Sequence, residues 1–97
     1  MTEAQRKLAR HALGFPNRQN RSYRNSFCTG PGSVDYPEWQ EMVAHGEAIR
    51  RDGSLWGGDS MFHLVLNAAL SVREPKESLS QEDVATMRTF ETAEGVK

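Results

Sequence analysis

The sequence contains little cysteine and no long hydrophobic run. Cys28 is the only cysteine among the 97 residues, which excludes an intramolecular disulfide and favours a reducing compartment. The longest apolar run, around residues 62–70, is interrupted by His63 and Asn67 and is too short to cross a bilayer. The N-terminus is charged from Glu3 and lacks the apolar stretch of a signal peptide. We therefore expect a cytoplasmic protein without membrane contact.

Hydrophobic residues are also scarce. They make up 37% of the chain, which is low for a small protein, whereas the charged fraction of 26% is ordinary. A chain of 97 residues has room for one domain, which buries roughly two-thirds of the surface of its unfolded state. We predict a globular domain over residues 1–74 and a loosely docked helical extension over residues 75–97, beginning at Pro75.

Catalytic and metal-binding motifs are absent from the sequence. The histidines at 11, 45 and 63 and Cys28 lie 17 or more residues apart, whereas a structural zinc site needs two close pairs of ligands. The glycine-rich residues 30–33 lack the Lys-Ser/Thr ending of a phosphate-binding loop. We predict a protein that is not an enzyme and that uses no cofactor or metal, with Cys28 as a small buried side chain.

Charge is distributed very unevenly along the chain. Residues 1–24 contain six Lys or Arg and one acid, for a net charge of +5, and the other 73 residues contain six basic and twelve acidic side chains, for a net charge of −6. Arg18, Arg21 and Arg24 recur every three residues among amide and aromatic side chains. Guanidinium groups suit phosphates and carboxylates. Two interpretations stay open: these arginines contact a nucleic acid or acidic protein, or they pair with the acidic part of the same chain.

Five residues form the predicted partner-binding site: Arg18, Arg21, Tyr23, Arg24 and Trp56. Trp56 precedes two glycines, and we expect it to be exposed in a bend and available to a partner. Trp39, in contrast, belongs to an apolar helical stripe and is expected in the core.

Local patterns predict an α+β fold with three or four helices and one antiparallel β-hairpin. The first helix follows a capping box at residues 2–5 and ends at Gly14; the second covers residues 35–45, with Asp35 as its N-cap. Strands at residues 47–51 and 60–66 form the hairpin. Asn67 caps a short helix, and Ser80 caps a final helix over residues 80–92. Residues 15–33 are expected to form a structured loop.

Several short sequence blocks within about residues 8–72 form a recognisable set: Ser22-Tyr23-Arg24-Asn25 and Gly30-Pro31-Gly32-Ser33, which are unusual, and Gly57-Gly58-Asp59. Together they resemble small, uncharacterised phage- and prophage-encoded proteins of proteobacteria. The resemblance implies a phage origin and a bacterial cytoplasmic setting, and it implies no catalytic residue.

The order helix, strand, bend, strand, short helix also resembles the end of a winged-helix domain. The helix over residues 35–45 bears Glu38 and Glu41 and no Lys or Arg, so it would repel DNA. The leading hypothesis is therefore a non-enzymatic phage accessory protein that binds a host protein or a protein–nucleic-acid complex. A winged-helix-like DNA-binding regulator and a virion or assembly component are the alternatives.

Overall fold

The computed structural model describes residues 1–52 and 58–95 of the chain. Within these residues the elements follow in the order α1 (Glu3–Leu13), β1 (Phe27–Thr29), α2 (Tyr36–Ala44), β2 (Ala48–Asp52), β3 (Ser60–Leu64), α3 (Leu66–Val72) and α4 (Gln81–Gly95). Four helices and an antiparallel sheet confirm the predicted α+β class.

The sheet has three strands in the described part of the chain, and β3 lies in the middle. β2 and β3 form the predicted hairpin, with Ala48 opposite Leu64 and Asp52 opposite Ser60. β1 pairs antiparallel with the other edge of β3. The prediction of a continuous loop over residues 15–33 is therefore wrong at β1. A strand of three residues is too short to show an alternating pattern in the sequence.

The core lies between the sheet and the helices. Phe62 and Leu64 of β3 are fully buried, whereas His63 between them is only half-buried, as the alternation predicts. Trp39 of α2 is fully buried, as predicted, and its ring stacks on that of Phe62 with centroids 5.5 Å apart. Phe27 of β1 contacts the Trp39 ring at a centroid distance of 5.3 Å, so β1, β3 and α2 share one aromatic cluster, and Ala48 of β2 packs in the same hydrophobic core.

The ends of α1 and the start of α4 agree with the sequence prediction. The Gln5 N–H donates to Thr2 Oγ1 at 3.1 Å, and the Thr2 N–H donates to Gln5 Oε1 at 3.0 Å, which completes the capping box. Gly14 ends α1 in the left-handed conformation with φ 87°. The Asp83 N–H donates to Ser80 Oγ at 3.1 Å, so Ser80 is the N-cap of α4.

One predicted cap is wrong, and another lacks its side-chain hydrogen bond. Asp35 is the N-cap of α2, as predicted, but it lies in the right-handed helical region and makes no side-chain capping hydrogen bond to the described residues. α3 begins at Leu66 after an extended Val65, so Asn67 lies inside the helix rather than at its cap. The hairpin strand ends at Leu64, two residues earlier than predicted, and α3 begins at Leu66. Both backbone groups of Leu64 are hydrogen-bonded to the Asn25 side chain.

The described part of residues 75–97 contacts the rest of the molecule at several points. Met87 of α4 is fully buried in the same hydrophobic cluster as residues of α1 and α3. Glu77 is also buried, with 5% of its surface exposed. The division into a domain over residues 1–74 and an extension over residues 75–97 stays a prediction. None of the described helices has the length and apolar character that a membrane crossing requires.

Candidate functional site

The arginines of α1 are paired with carboxylates. Arg10 donates from both terminal nitrogens to the two carboxylate oxygens of Glu77, with Nη2 to Oε2 at 2.8 Å, and Nη1 also donates to the Val72 carbonyl at 2.9 Å. These hydrogen bonds hold the pKa of Glu77 below its ordinary value and raise that of Arg10. Arg6 donates to Glu74 at 2.8 Å on the surface. Internal ion pairs with the acidic part of the chain are therefore formed by Arg6 and Arg10, the two arginines of α1.

The arginines that follow α1 are arranged differently. Arg18 and Arg21 are exposed, and neither has a carboxylate of the described residues within ion-pair distance. Arg24 is half-buried and donates to the His11 carbonyl from Nε at 3.2 Å and from Nη2 at 2.7 Å. This carbonyl lies at the C-terminal end of α1, which attracts positive charge. None of the three predicted arginines thus forms an ion pair with a described carboxylate, and Arg24 differs from the other two in its hydrogen bonds to a backbone carbonyl.

We call residues 17–24 the basic loop. The Asn17 side chain holds its first turn together: Nδ2 donates to the Gly14 carbonyl at 3.1 Å and to the Arg21 carbonyl at 2.9 Å, while Oδ1 accepts from the Gln19 N–H at 3.1 Å and from the Arg21 N–H at 3.4 Å. Amide side chains commonly organise turns in this way. The two exposed arginines therefore project from a turn whose backbone is ordered.

The C-terminal half of the basic loop is attached to the start of α4. The Ser22 N–H donates to the Ser78 carbonyl at 2.9 Å, and the Ser78 N–H donates to the Asn20 carbonyl at 2.8 Å. The buried Ser22 hydroxyl accepts from the Ser80 N–H at 2.9 Å and donates to Asp83 Oδ2 at 2.6 Å. The sequence contains no signal for this contact, because its partners are about sixty residues apart.

Tyr23 lies on the surface of the basic loop with 64% of its area exposed. Its N–H donates to the Leu13 carbonyl at 3.3 Å, and its ring lies against Gly14, where a Cβ atom would come within 2.2 Å of Tyr23 Cε1. The Arg24 guanidinium lies over the ring, 5.2 Å from its centroid. The ring thus has two neighbours, and most of the residue stays accessible.

Three of the five predicted site residues line one open depression of about 310 Å³: Arg18, Arg21 and Tyr23, together with Asn17 and Gln19. Arg24 lines a second depression of about 220 Å³ with His11, Ser26, Phe27 and Cys28. Cys28 is exposed on β1, so the prediction of a buried side chain is wrong. Trp56 lies outside the described residues.

The larger depression has the groups of an anion-binding surface. Two guanidinium groups can each bind a phosphate or carboxylate through paired hydrogen bonds, and an aromatic ring lies beside them. The described residues contain no group of three or more His, Cys, Asp or Glu that could hold a metal ion. The arrangement favours binding of an anionic partner.

The comparisons with known proteins find no match to this chain among family models, curated proteins or solved structures.

Proposed function

We propose that this chain is a non-enzymatic phage accessory protein that binds a host protein or a protein–nucleic-acid assembly through the basic loop. The observation that carries the proposal is the difference between two sets of arginines. Arg6 and Arg10 are paired with Glu74 and Glu77, whereas Arg18 and Arg21 project without a carboxylate partner among the described residues. A partner of opposite charge is attracted most strongly to positive charges that are not already neutralised within the protein.

The order of the basic loop also supports a role in binding. A partner that binds a mobile loop must immobilise its backbone, which lowers the affinity. Here the side chains of Asn17 and Ser22 have already ordered the loop through hydrogen bonds. The phage setting and the bacterial cytoplasm come from the resemblance of the sequence blocks, and they belong to the same proposal.

The test is affinity capture from a bacterial host lysate, with and without nuclease. We expect the double variant Arg18→Ala/Arg21→Ala to lose the captured partner while keeping the wild-type circular dichroism spectrum. The control is Lys7→Ala/Lys76→Ala, which removes the same charge from two other exposed positions. A folded arginine variant that captures the same partner as the wild type contradicts the proposal, as does an equal loss in the lysine variant.

The DNA-binding regulator and the virion component stay alternatives. Glu41 is exposed on α2 and Glu38 is half-buried there, where its Oε1 accepts from Gln5 Nε2 at 3.1 Å. A helix with this charge disfavours entry into a DNA groove, so duplex binding would depend on the basic loop instead. A virion component predicts oligomers whose size rises with protein concentration in light scattering.

A further inference from the structure

An accessible aromatic ring lies beside the two unpaired arginines of the basic loop, and all three side chains line the same depression. We propose that this depression binds single-stranded nucleic acid, with backbone phosphates on Arg18 and Arg21 and a base stacked on Tyr23. The inference rests on the proposed function, because it uses the same surface and names the chemical class of its ligand.

The proposed phosphate contacts follow from the absence of ion pairs between the two arginines and the described carboxylates. Neither Arg18 nor Arg21 must break an ion pair with the described carboxylates before it binds an anion. Each can donate two parallel hydrogen bonds to phosphate oxygens. Because Asn17 bonds both backbone groups of Arg21 and the N–H of Gln19, the two arginines start from an ordered turn.

The stacking contact follows from the position of Tyr23. Gly14 lies beside the ring and the Arg24 guanidinium lies over it, yet the residue stays 64% exposed. A large exposed ring held in one orientation loses little entropy when a base stacks on it. The guanidinium above the ring adds a third positive charge close to the bound strand.

The combination favours a single strand over the other anionic partners. In a duplex the base faces are stacked inside the helix, so Tyr23 could reach none of them without opening a pair. An acidic peptide could occupy Arg18 and Arg21, but it offers the ring a flat π-surface only where its sequence supplies an aromatic residue. In an unpaired strand every nucleotide carries both a phosphate for the arginines and a base for the ring.

The test is the fluorescence anisotropy of a labelled oligothymidylate of about 15 nucleotides, titrated with the full chain over a range of salt concentrations. Two neutralised phosphates on a single strand predict a slope of about −1.4 for log K against log salt. Arg18→Ala/Arg21→Ala should weaken binding at low salt at least about tenfold and remove most of this slope. Lys7→Ala/Lys76→Ala should keep most of it.

Tyr23 provides the second readout. Tyr23→Phe keeps the ring and should bind with wild-type affinity, whereas Tyr23→Leu keeps an apolar side chain without the ring and should bind at least about fivefold more weakly. The salt slope of Tyr23→Leu should equal that of the wild type, because stacking releases no counterions. Circular dichroism of both variants confirms that the fold is retained.

Several outcomes overturn the inference. These are undetectable binding of the oligothymidylate at low salt, equal affinities of Tyr23→Leu and Tyr23→Phe, and duplex or polyglutamate binding as tight as that of the single strand. The same experiments distinguish a failure of this inference from a failure of the proposed function. If nuclease-resistant capture of a host protein depends on Arg18 and Arg21 while the oligothymidylate does not bind, the proposed function stands and the nucleic-acid inference falls.

Discussion

The Arg10 guanidinium of α1 is joined to both carboxylate oxygens of Glu77, a residue 67 positions further along the chain. Only 13% of the Arg10 side chain and 4% of the Glu77 side chain are exposed. Glu77 Oε1 also accepts from the Glu74 N–H at 2.6 Å. This ion pair attaches the segment between α3 and α4 to α1, and it neutralises part of the positive charge of the N-terminal region.

We expect Glu77→Gln to destabilise the protein by roughly 3 kcal/mol, because it leaves the largely buried Arg10 charge without its counter-ion. The measurement is the free energy of unfolding from urea denaturation at neutral pH. Glu74→Gln is the matched control, since the Arg6–Glu74 pair is exposed and such pairs contribute less than about 1 kcal/mol. Equal losses in the two variants would contradict the structural role assigned to the buried pair.

His63 makes the stability of the fold depend on pH. Its Nδ1 lies 2.7 Å from the Asn25 carbonyl, and its buried Nε2 has no hydrogen-bond partner among the described residues. Burial lowers the pKa of His63 below its ordinary value of 6.5, and the positive charge of Arg51 adds to this effect. The unfolded state therefore takes up a proton more readily than the folded state.

Because the folded state has the lower pKa, neutral His63 contributes fully to the free energy of unfolding above about pH 6.5. This contribution is lost as the pH falls through the pKa of the folded state. The free energy of unfolding should decrease from about pH 7 to about pH 5. His63→Gln should remove part of this decrease, whatever its effect at neutral pH. An unchanged slope in His63→Gln would refute the assignment.

Gly14 tests the packing under Tyr23. Gly14→Ala forces a side chain into the left-handed region at φ 87° and places Cβ within 2.2 Å of Tyr23 Cε1. Gly46→Ala has the same kind of backbone strain at φ 76°, but no described atom lies within 4 Å of its Cβ. We expect Gly46→Ala to lower the free energy of unfolding by about 1 kcal/mol and Gly14→Ala to lower it further.

The difference between the two glycine variants should disappear when Tyr23 is replaced by alanine, because the steric conflict is then removed. A double-mutant cycle of Gly14→Ala and Tyr23→Ala measures this coupling in urea denaturation. If the two substitutions are additive, the ring does not pack against Gly14 as described.

The helix ends were predictable because their signals are local. Thr2 and Gln5 form a capping box with each other, and Ser80 and Asp83 are likewise three residues apart. The alternation of β3 was predictable for a similar reason, since Phe62 and Leu64 face the core and His63 does not. In each case the partners of the pattern lie within one turn or one strand.

The errors occur where a distant residue decides the local structure. β1 becomes a strand because it can pair with β3, and Phe27 lies opposite Phe62 there. β3 ends at Leu64, and the backbone groups of this residue are paired with the side chain of Asn25, 39 positions earlier, which donates to the Leu64 carbonyl and accepts from the Leu64 N–H. No window of neighbouring residues contains this information.

The candidate site likewise has features that the sequence predicts and features that it does not. The sequence shows a cluster of arginines with an interleaved tyrosine, which predicts a charged surface. It does not show that Arg10 meets Glu77 whereas Arg18 and Arg21 meet no described carboxylate. Nor does it show that the Ser22 hydroxyl contacts the first turn of α4.

The sequence by itself determined the α+β class, most helix ends and the charge polarity of this protein, because capping, periodicity and charge are properties of neighbouring residues. Tertiary structure alone decided which positive charges stay accessible. An arginine is neutralised only if folding places a carboxylate within reach of its guanidinium group. In this chain the carboxylate that pairs with Arg10 is that of Glu77, in the segment that follows the third helix.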